Sequence, residues 1–367
     1  MIRTIRNKLH EETVFTLSLL LAVGTSCIVR PSLADIDWHV VGSLFNLMAA
    51  VLGLERVRLF DTIAVRLVRR FSDERRVTLA LVVLTGVMAM AVTNDVALIS
   101  LVPLMLLIGR KAGFDPMKAV ILQTLAANIG STLTPMGNPQ NLFLYSHYDL
   151  SPLQILIAAL PFVAAGFLAL VLLVCLLVPT RPIHFHIGME REAGRPRLIA
   201  YGTLFLAGVA GVFRLLPVPL VAVAALALLL VLDRPLLRKL DGFLLLTFVC
   251  FFIAIGNLTR MPAVADVAAG MLSGARGAYA AGLVLSQGIS NVPAALMLAP
   301  FTPHWRAVFL GVNIGGMGTL IASMASLISW RLYARHHHQS HYLRWFHLLN
   351  FAGLLLFGIL FLFTMPA

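Results

Sequence analysis

Charge is scarce in this chain. Asp, Glu, Lys and Arg make up 12% of its 367 residues, against 59% hydrophobic residues and a mean hydropathy of +0.91. That balance excludes an ordinary soluble domain and fits a polytopic membrane protein. Acids are the scarcer sign, 16 against 28 Lys and Arg, for a net charge of +12. No aromatic residues are interleaved with a basic patch, so nucleic acid is not an expected partner. Basic excess is instead what cytoplasmic loops of membrane proteins carry. There are three cysteines, Cys27, Cys175 and Cys250, each alone in an apolar segment. They form neither a metal spacing nor a disulfide framework. No nucleophile elbow, P-loop or zinc motif occurs, which argues against an enzyme and favours coupling to ion gradients over direct ATP use. A signal peptide is a weak reading of the N-terminus, because many more apolar spans follow the first.

What is abundant is apolar sequence, and it divides at polar interruptions. Thr13–Val29 and Trp38–Leu54 read as spans. Glu55–Arg76, with seven arginines, reads as an interfacial helix. Residues 77–108 are apolar except at Thr93-Asn94-Asp95. Each arm has about 15 residues, short of the roughly 20 a span needs, so a re-entrant hairpin is expected; one long kinked span is the alternative. A broken helix over 117–145 follows, then a plain span, Leu153–Val178. The polar loop Pro179–Arg197 separates two halves. Spans Leu198–Leu216, Val218–Leu232 and Phe243–Leu258 come next, with a second interfacial helix over Thr259–Leu272. Residues 277–300 read as a second hairpin with Ser290-Asn291 at its middle. An interrupted span over 304–333 and a last span, Phe346–Met365, complete the chain. With the N-terminus cytoplasmic and both short segments as hairpins, all but Arg30, Arg214, Arg260, Arg276 and Arg306 of the 28 basic residues fall inside. A single crossing at 77–108 would move seven more to the outside, against the positive-inside bias.

The densest interruption is Asn128–Asn141, NIGSTLTPMGNPQN. Pro135 and Pro139 each remove a backbone donor and clash with the preceding turn. Irregular backbone at membrane depth persists only inside protein or along a wet cavity. Its polar residues have counterparts downstream: Asn128-Ile129-Gly130-Ser131 with Asn313-Ile314-Gly315-Gly316, Thr93-Asn94 with Ser290-Asn291, and Asp37-Trp38 with Asp241-Gly242. The matches keep their order, and the matched spans run in opposite directions. Corresponding broken segments in inverted halves point to a transport site at the midplane.

This pattern, from about Asp37 to Tyr333, resembles the ion transporter superfamily of citrate and dicarboxylate carriers, arsenite permeases and D-type sodium/proton antiporters, and within it YbiR-like inner-membrane transporters. The resemblance implies a homodimer in a bacterial inner membrane. It implies cations held between each hairpin tip and the adjacent helix break, with substrate between the two repeats. This chain departs from the carriers' Ser-Asn-Thr tips in both halves: Asp95 stands at the third position of one and Val292 at the third position of the other. Val292 brings no hydroxyl to a second cation site.

Asp95 is the acid that falls deep in the membrane, where a carboxylate needs a partner or a function. It is read either as the coupling carboxylate or as a cap for an outgoing arm that begins at Val96. Neutral oxygens around it complete a candidate cation site of Thr93, Asn94, Asp95, Asn128, Ser131, Thr132 and Asn138. The candidate substrate site comprises Asn94, Thr134, Asn141, Ser290, Asn291, Asn313, Gly315, Gly316, Thr319 and Ser323. For Asn138, Gln140 and Asn141, satisfying the broken backbone is the competing role. His336–His338, with His341 and His347, could bind metal, but their basic loop suits a solvated role.

The expectation is therefore an all-α polytopic membrane protein with two inverted repeats, about nine spans and two re-entrant hairpins. It divides into an N-terminal span (1–36), a first repeat (37–178), linking spans (179–240), a second repeat (241–333) and a C-terminal segment (334–367). The C-terminus is expected outside. The expected function is secondary active transport of a small carboxylate or oxyanion, with Na+ or H+ as coupling ion and no further cofactor. Sodium/proton antiport through Asp95 is the alternative.

Overall fold

The structure, a computed structural model, describes residues 13–184, 194–335, 337 and 339–366. All regular structure among the described residues is helical. The first half opens with α1 (Thr13–Ser26) and α2 (Trp38–Arg56). Asp37 caps α2 by accepting from the Val40 amide at 3.1 Å, the role a short acid plays at a helix start. The arginine-rich stretch is not one helix. Arg58 takes a left-handed conformation (φ 58°) and separates α2 from α3 (Leu59–Val68). Glu74–Arg76 already belong to α4 (Glu74–Val92), which Asp73 caps through the Arg76 amide at 2.9 Å.

Thr93 alone divides α4 from α5 (Asn94–Ala112). Both arms are 19 residues long, longer than the apolar count suggested, because each continues into its charged flank. The chain nevertheless leaves on the face where it entered. Glu74 at the start of α4 lines one pocket with Asp115, Met117 and Lys118, which follow α5. The same pocket holds Leu177 and Arg181. These residues mark the first face of the molecule.

α6 (Met117–Ser131) leads from the first face to the break, a short 3-10 turn at Pro135–Gly137 lies inside it, and α7 (Pro139–His147) continues to the opposite, second face. Both prolines sit at the start of a helical turn, where the missing donor costs nothing. α8 (Pro152–Leu177) returns to the first face. Then come α9 (Arg195–Val212), α10 (Val218–Leu232) and α11 (Gly242–Thr259). Asp241 caps α11 through the Leu244 amide at 2.9 Å, with ψ 81° against 90° at Asp37.

The second half contains a helix pair of the same kind. After α12 (Pro262–Met271), α13 (Ala275–Ile289) and α14 (Asn291–Leu298) are divided by Ser290. Its φ and ψ of 75° and 154° match the 94° and 150° of Thr93. Thr302 donates to the Leu272 carbonyl at 3.1 Å, so this pair also starts and ends on one face. That face is the second, since the Tyr148 hydroxyl at the end of α7 donates to the Ala299 and Thr302 carbonyls. α15 (Trp305–Gly315), a turn at Leu320–Ala322 and α16 (Met324–Ala334) run back to the first face, where Tyr333 donates to Asp115 at 3.0 Å. α17 (Gln339–Leu362) ends the described chain near the second face, where Arg276 donates to the Met365 carbonyl.

The Asn-Ile-Gly matches have a packing cause. A Cβ on Gly130 would lie 2.2 Å from the Gly86 carbonyl oxygen, and one on Gly315 would lie 2.9 Å from that of Gly282. In each half the first hairpin arm presses backbone to backbone on the first part of the broken helix, which only glycine permits. Among the described residues five helices are long and apolar enough to cross a membrane: α2, α4, α8, α11 and most of α17.

Candidate functional site

Three of the interruptions meet side chain to side chain. Asn128, near the end of α6, donates to the Gly316 carbonyl at 3.4 Å and accepts from Ser323 at 3.0 Å. Asn94, at the first hairpin tip, donates to the same Asn128 oxygen at 3.4 Å. Asn313, near the end of α15, reaches the other way. It donates to Asn141 at 2.7 Å and accepts from Asn138 at 3.0 Å and Thr132 at 3.3 Å. All of these residues are buried. Asn128 thus completes the hydrogen bonding of the second break's backbone, and Asn313 partners the buried side chains of the first break, as buried polar groups require.

The competing role for the downstream amides holds for Asn141. Its side chain donates to the carbonyls of Ser131, Thr132 and Thr134 at 3.1–3.3 Å, so its amide is committed to the break. Asn138 divides its work: its oxygen caps α7 through the Asn141 amide at 2.9 Å, and its nitrogen reaches Ser131 and Asn313. Ser131 and Thr132 both donate to the Asn128 carbonyl. Thr134 donates to the Met90 carbonyl, tying the break to the end of α4.

Asp95 is different. The arm begins at Asn94, whose side-chain oxygen accepts from the Asp95 amide at 2.9 Å. Asp95 therefore does not cap an arm starting at Val96, and its buried Oδ1 has no hydrogen-bond partner. It lines a cavity of about 270 Å³ with Thr93, Asn138 and Met136. The opposite wall is α2, through Leu44, Leu47, Met48 and Val51, and Glu55, Lys239 and Asp241 stand at the first-face end. Lys239 is the only basic residue in that lining.

In the second half, Ser290 donates to Asn291 at 3.4 Å, and a Cβ on Gly316 would meet the Asn291 amide at 2.9 Å. Thr319 caps its short turn through the Ala322 amide at 3.1 Å and donates to the Gln287 carbonyl at 2.9 Å. None of the ten candidate substrate residues lines the Asp95 cavity, and of the candidate cation residues only Thr93, Asp95 and Asn138 do. Gln287 was missed by the sequence reading, although it is a lone amide in an apolar arm three residues before the tip. The α2 wall was missed too, since a plain apolar span carries no polar signal. Of the histidines, His337 stacks on Tyr333 with ring centroids 4.7 Å apart, and His336 and His338 lie outside the described residues.

Two helix breaks packed together, the first of them lining a partly polar cavity, on an all-helical frame with long apolar helices, define a membrane transporter. The Alcanivorax borkumensis YdaH transporter, known from a crystal structure, has a similar fold, with a TM-score of 0.56 at 15% identity over 95% of this chain and 87% of that one. The family described as "Citrate transporter" matches residues 2–305, and the chain belongs to it. The inner membrane protein YbiR of Escherichia coli is 33% identical over 331 residues, 88% of each chain. The uncharacterized transporter MJ0456 of Methanocaldococcus jannaschii is 34% identical over 300 residues, 81% of each. A shorter match, 28% over 144 residues, is to the rice silicon efflux transporter LSI3 and covers 39% of this chain and 30% of that one.

Proposed function

We propose that the protein is a secondary active transporter that moves a small carboxylate or oxyanion across a bacterial inner membrane, coupled to protons or sodium. One observation carries the reading: the unpartnered Asp95 carboxylate oxygen, buried at a cavity between the first hairpin tip, the first helix break and α2. An isolated buried carboxylate is expensive, so a cation or proton is the expected occupant. The family is named for citrate, a small carboxylate, and the rice relative for silicon efflux. The deep cavity wall offers no Lys or Arg for such a solute. Its charge would be met by the cation on Asp95 and by the positive ends of α5 and α7, which start at the tip and the break.

The matched tips, caps and breaks support two inverted repeats, with nine crossings and two re-entrant hairpins. The basic first face is then cytoplasmic and the C-terminus periplasmic. The described cavity faces the cytoplasm, and alternating access moves the hairpins and broken helices past α2 and its neighbours, which would also carry a homodimer contact. Sodium/proton antiport remains a second reading, favoured by the same carboxylate standing without a fixed positive partner.

Reconstituted vesicles test both readings. Uptake of citrate and other small acids is measured under imposed sodium and pH gradients, for the native protein and for Asp95→Asn. Uptake is expected to fall at least tenfold in the variant, about 1.4 kcal/mol of lost transition-state or binding free energy, and to lose its response to the driving gradient. Unchanged uptake with unchanged pH and sodium dependence would remove Asp95 from coupling. Gradient-driven cation exchange with no acid uptake would select the antiport reading.

A further inference from the structure

The two halves differ at one place where their backbones agree. In the first, Thr134 in the break donates to the Met90 carbonyl, three residues before the tip. In the second, Thr319 donates to the Gln287 carbonyl, three residues before Ser290. The matched positions therefore carry Met90 and Gln287. Met90 brings no amide, whereas the Gln287 side chain is folded into its own break. Its nitrogen meets three carbonyl oxygens, those of Gly315 at 2.7 Å, Leu283 at 3.0 Å and Met317 at 3.1 Å. Its oxygen accepts from the Thr319 amide at 3.0 Å. Gly318, at φ 110°, makes room: a Cβ there would lie 2.2 Å from the Gln287 oxygen.

Carbonyl oxygens that converge on one point at membrane depth need a positive partner. A bound monovalent cation would serve, and so does the positive end of an amide dipole. We infer that the Gln287 amide takes the place of a cation between the second hairpin and the second break, so that the chain holds a single cation site, at Asp95. Two further features agree. Val292 follows Asn291 where Asp95 follows Asn94, so the second tip adds no carboxylate or hydroxyl. In the first half the Asn141 amide serves the break's carbonyls, yet the Asp95 Oδ1 at the tip is still left without a partner; among the described residues no side-chain atom of Gln287, Ser290, Asn291 or Thr319 is left so. Gln287 is thus a residue that sets how many cations accompany each transport cycle. The location of the open site rests on the function proposed above, but the role of Gln287 can be tested without transport.

The test is a cation titration of thermal stability in detergent, at pH 8, with choline replacing Li+, Na+ or K+ at constant ionic strength. The proteins are the native chain, Gln287→Glu, Gln287→Ala, Asp95→Asn and the double variant Asp95→Asn/Gln287→Glu. Gln287→Glu is nearly isosteric and turns an oxygen toward the three carbonyls, so it demands a cation. It is expected to melt several degrees lower than the native chain in choline and to recover in at least one of the small cations. The double variant is expected to keep that recovery. Gln287→Ala, which only empties the place, is expected to show a weaker recovery in the same cation. Equal losses in choline and in all three cations, for both Gln287 variants, would make Gln287 a structural bond only and overturn the inference. A native chain that binds two cations per protomer would also overturn it. If the Gln287 variants recover but Asp95→Asn responds to cations like the native chain, the function assigned to Asp95 fails while the inference about Gln287 stands.

Discussion

Asn128 and Asn313 occupy matched positions, yet their side chains do unlike work. Asn128 binds the first tip and the second break, through Asn94, Gly316 and Ser323. Asn313 binds the first break, through Thr132, Asn138 and Asn141, and its own helix at the Phe309 carbonyl. Removing either leaves buried polar groups without partners, at about 1–3 kcal/mol each. Asn313→Ala strands the Asn141 oxygen and is expected to lower the melting temperature by several degrees. Asn128→Ala loosens the junction of tip and break and is expected to reduce uptake at least tenfold in reconstituted vesicles; unchanged uptake would separate that junction from the transport site. Both asparagines were legible in the sequence, because each stands in an Asn-Ile-Gly run inside an apolar segment. Their partners were not, because Ser323 and Asn138 lie 195 and 175 residues away along the chain and no local pattern encodes such pairing. Asp95 was legible as an isolated acid. That it caps nothing followed only from the exact start of α5 at Asn94.

Among the elements, the two hairpins turn on single residues with positive φ. Thr93 and Ser290 adopt φ of 94° and 75° with ψ near 150°, a region that side chains with a Cβ enter at a cost of about 1–3 kcal/mol. The tips were visible as polar residues between apolar arms, but their backbone was not, because neither is glycine. Arm length also misled, since the helices continue through Glu74–Arg76 and Arg110–Lys111, where Arg76, Arg110 and Lys111 are exposed and Glu74 is buried against Arg181. Thr93→Gly releases the backbone cost and loses only about 0.5–1 kcal/mol to chain entropy. Its melting temperature is expected to equal or exceed that of the native protein. Uptake is expected to fall, because the cavity loses the Thr93 side chain and the tip its fixed angle. Thr93→Pro forces φ to about −65° and is expected to prevent folding. A large drop in the melting temperature of Thr93→Gly would show that this backbone does not set the tip.

Across the whole molecule, ion pairs and charge divide along the two faces. Arg214 pairs with Asp149 and Arg260 with Asp35 at 2.9 Å on the second face. Arg56 and Arg197 share Asp233 on the first, with Arg181 on Glu74. The five basic residues expected outside by charge counting include both second-face partners, so the tertiary contacts sort these arginines by face as the charge bias does. It predicts which face each reagent reaches. In a chain with Cys27, Cys175 and Cys250 replaced, exposed Pro303→Cys and Arg30→Cys are expected to react with a membrane-impermeant thiol reagent applied from the periplasm. Exposed Arg70→Cys and Arg238→Cys are expected to react only once the inner membrane is opened. Asn94→Cys lies beside the Asp95 cavity, whose polar end carries Glu55, Lys239 and Asp241 at the first face. It is expected to react from the cytoplasmic side in inverted vesicles, and more slowly in the presence of a transported acid. Reaction of Pro303→Cys and Arg238→Cys from the same side would break the assignment of faces. Asn94→Cys inert from both sides would place the first tip in lipid or sealed protein, and no ion could then reach Asp95 from the cytoplasm in this conformation.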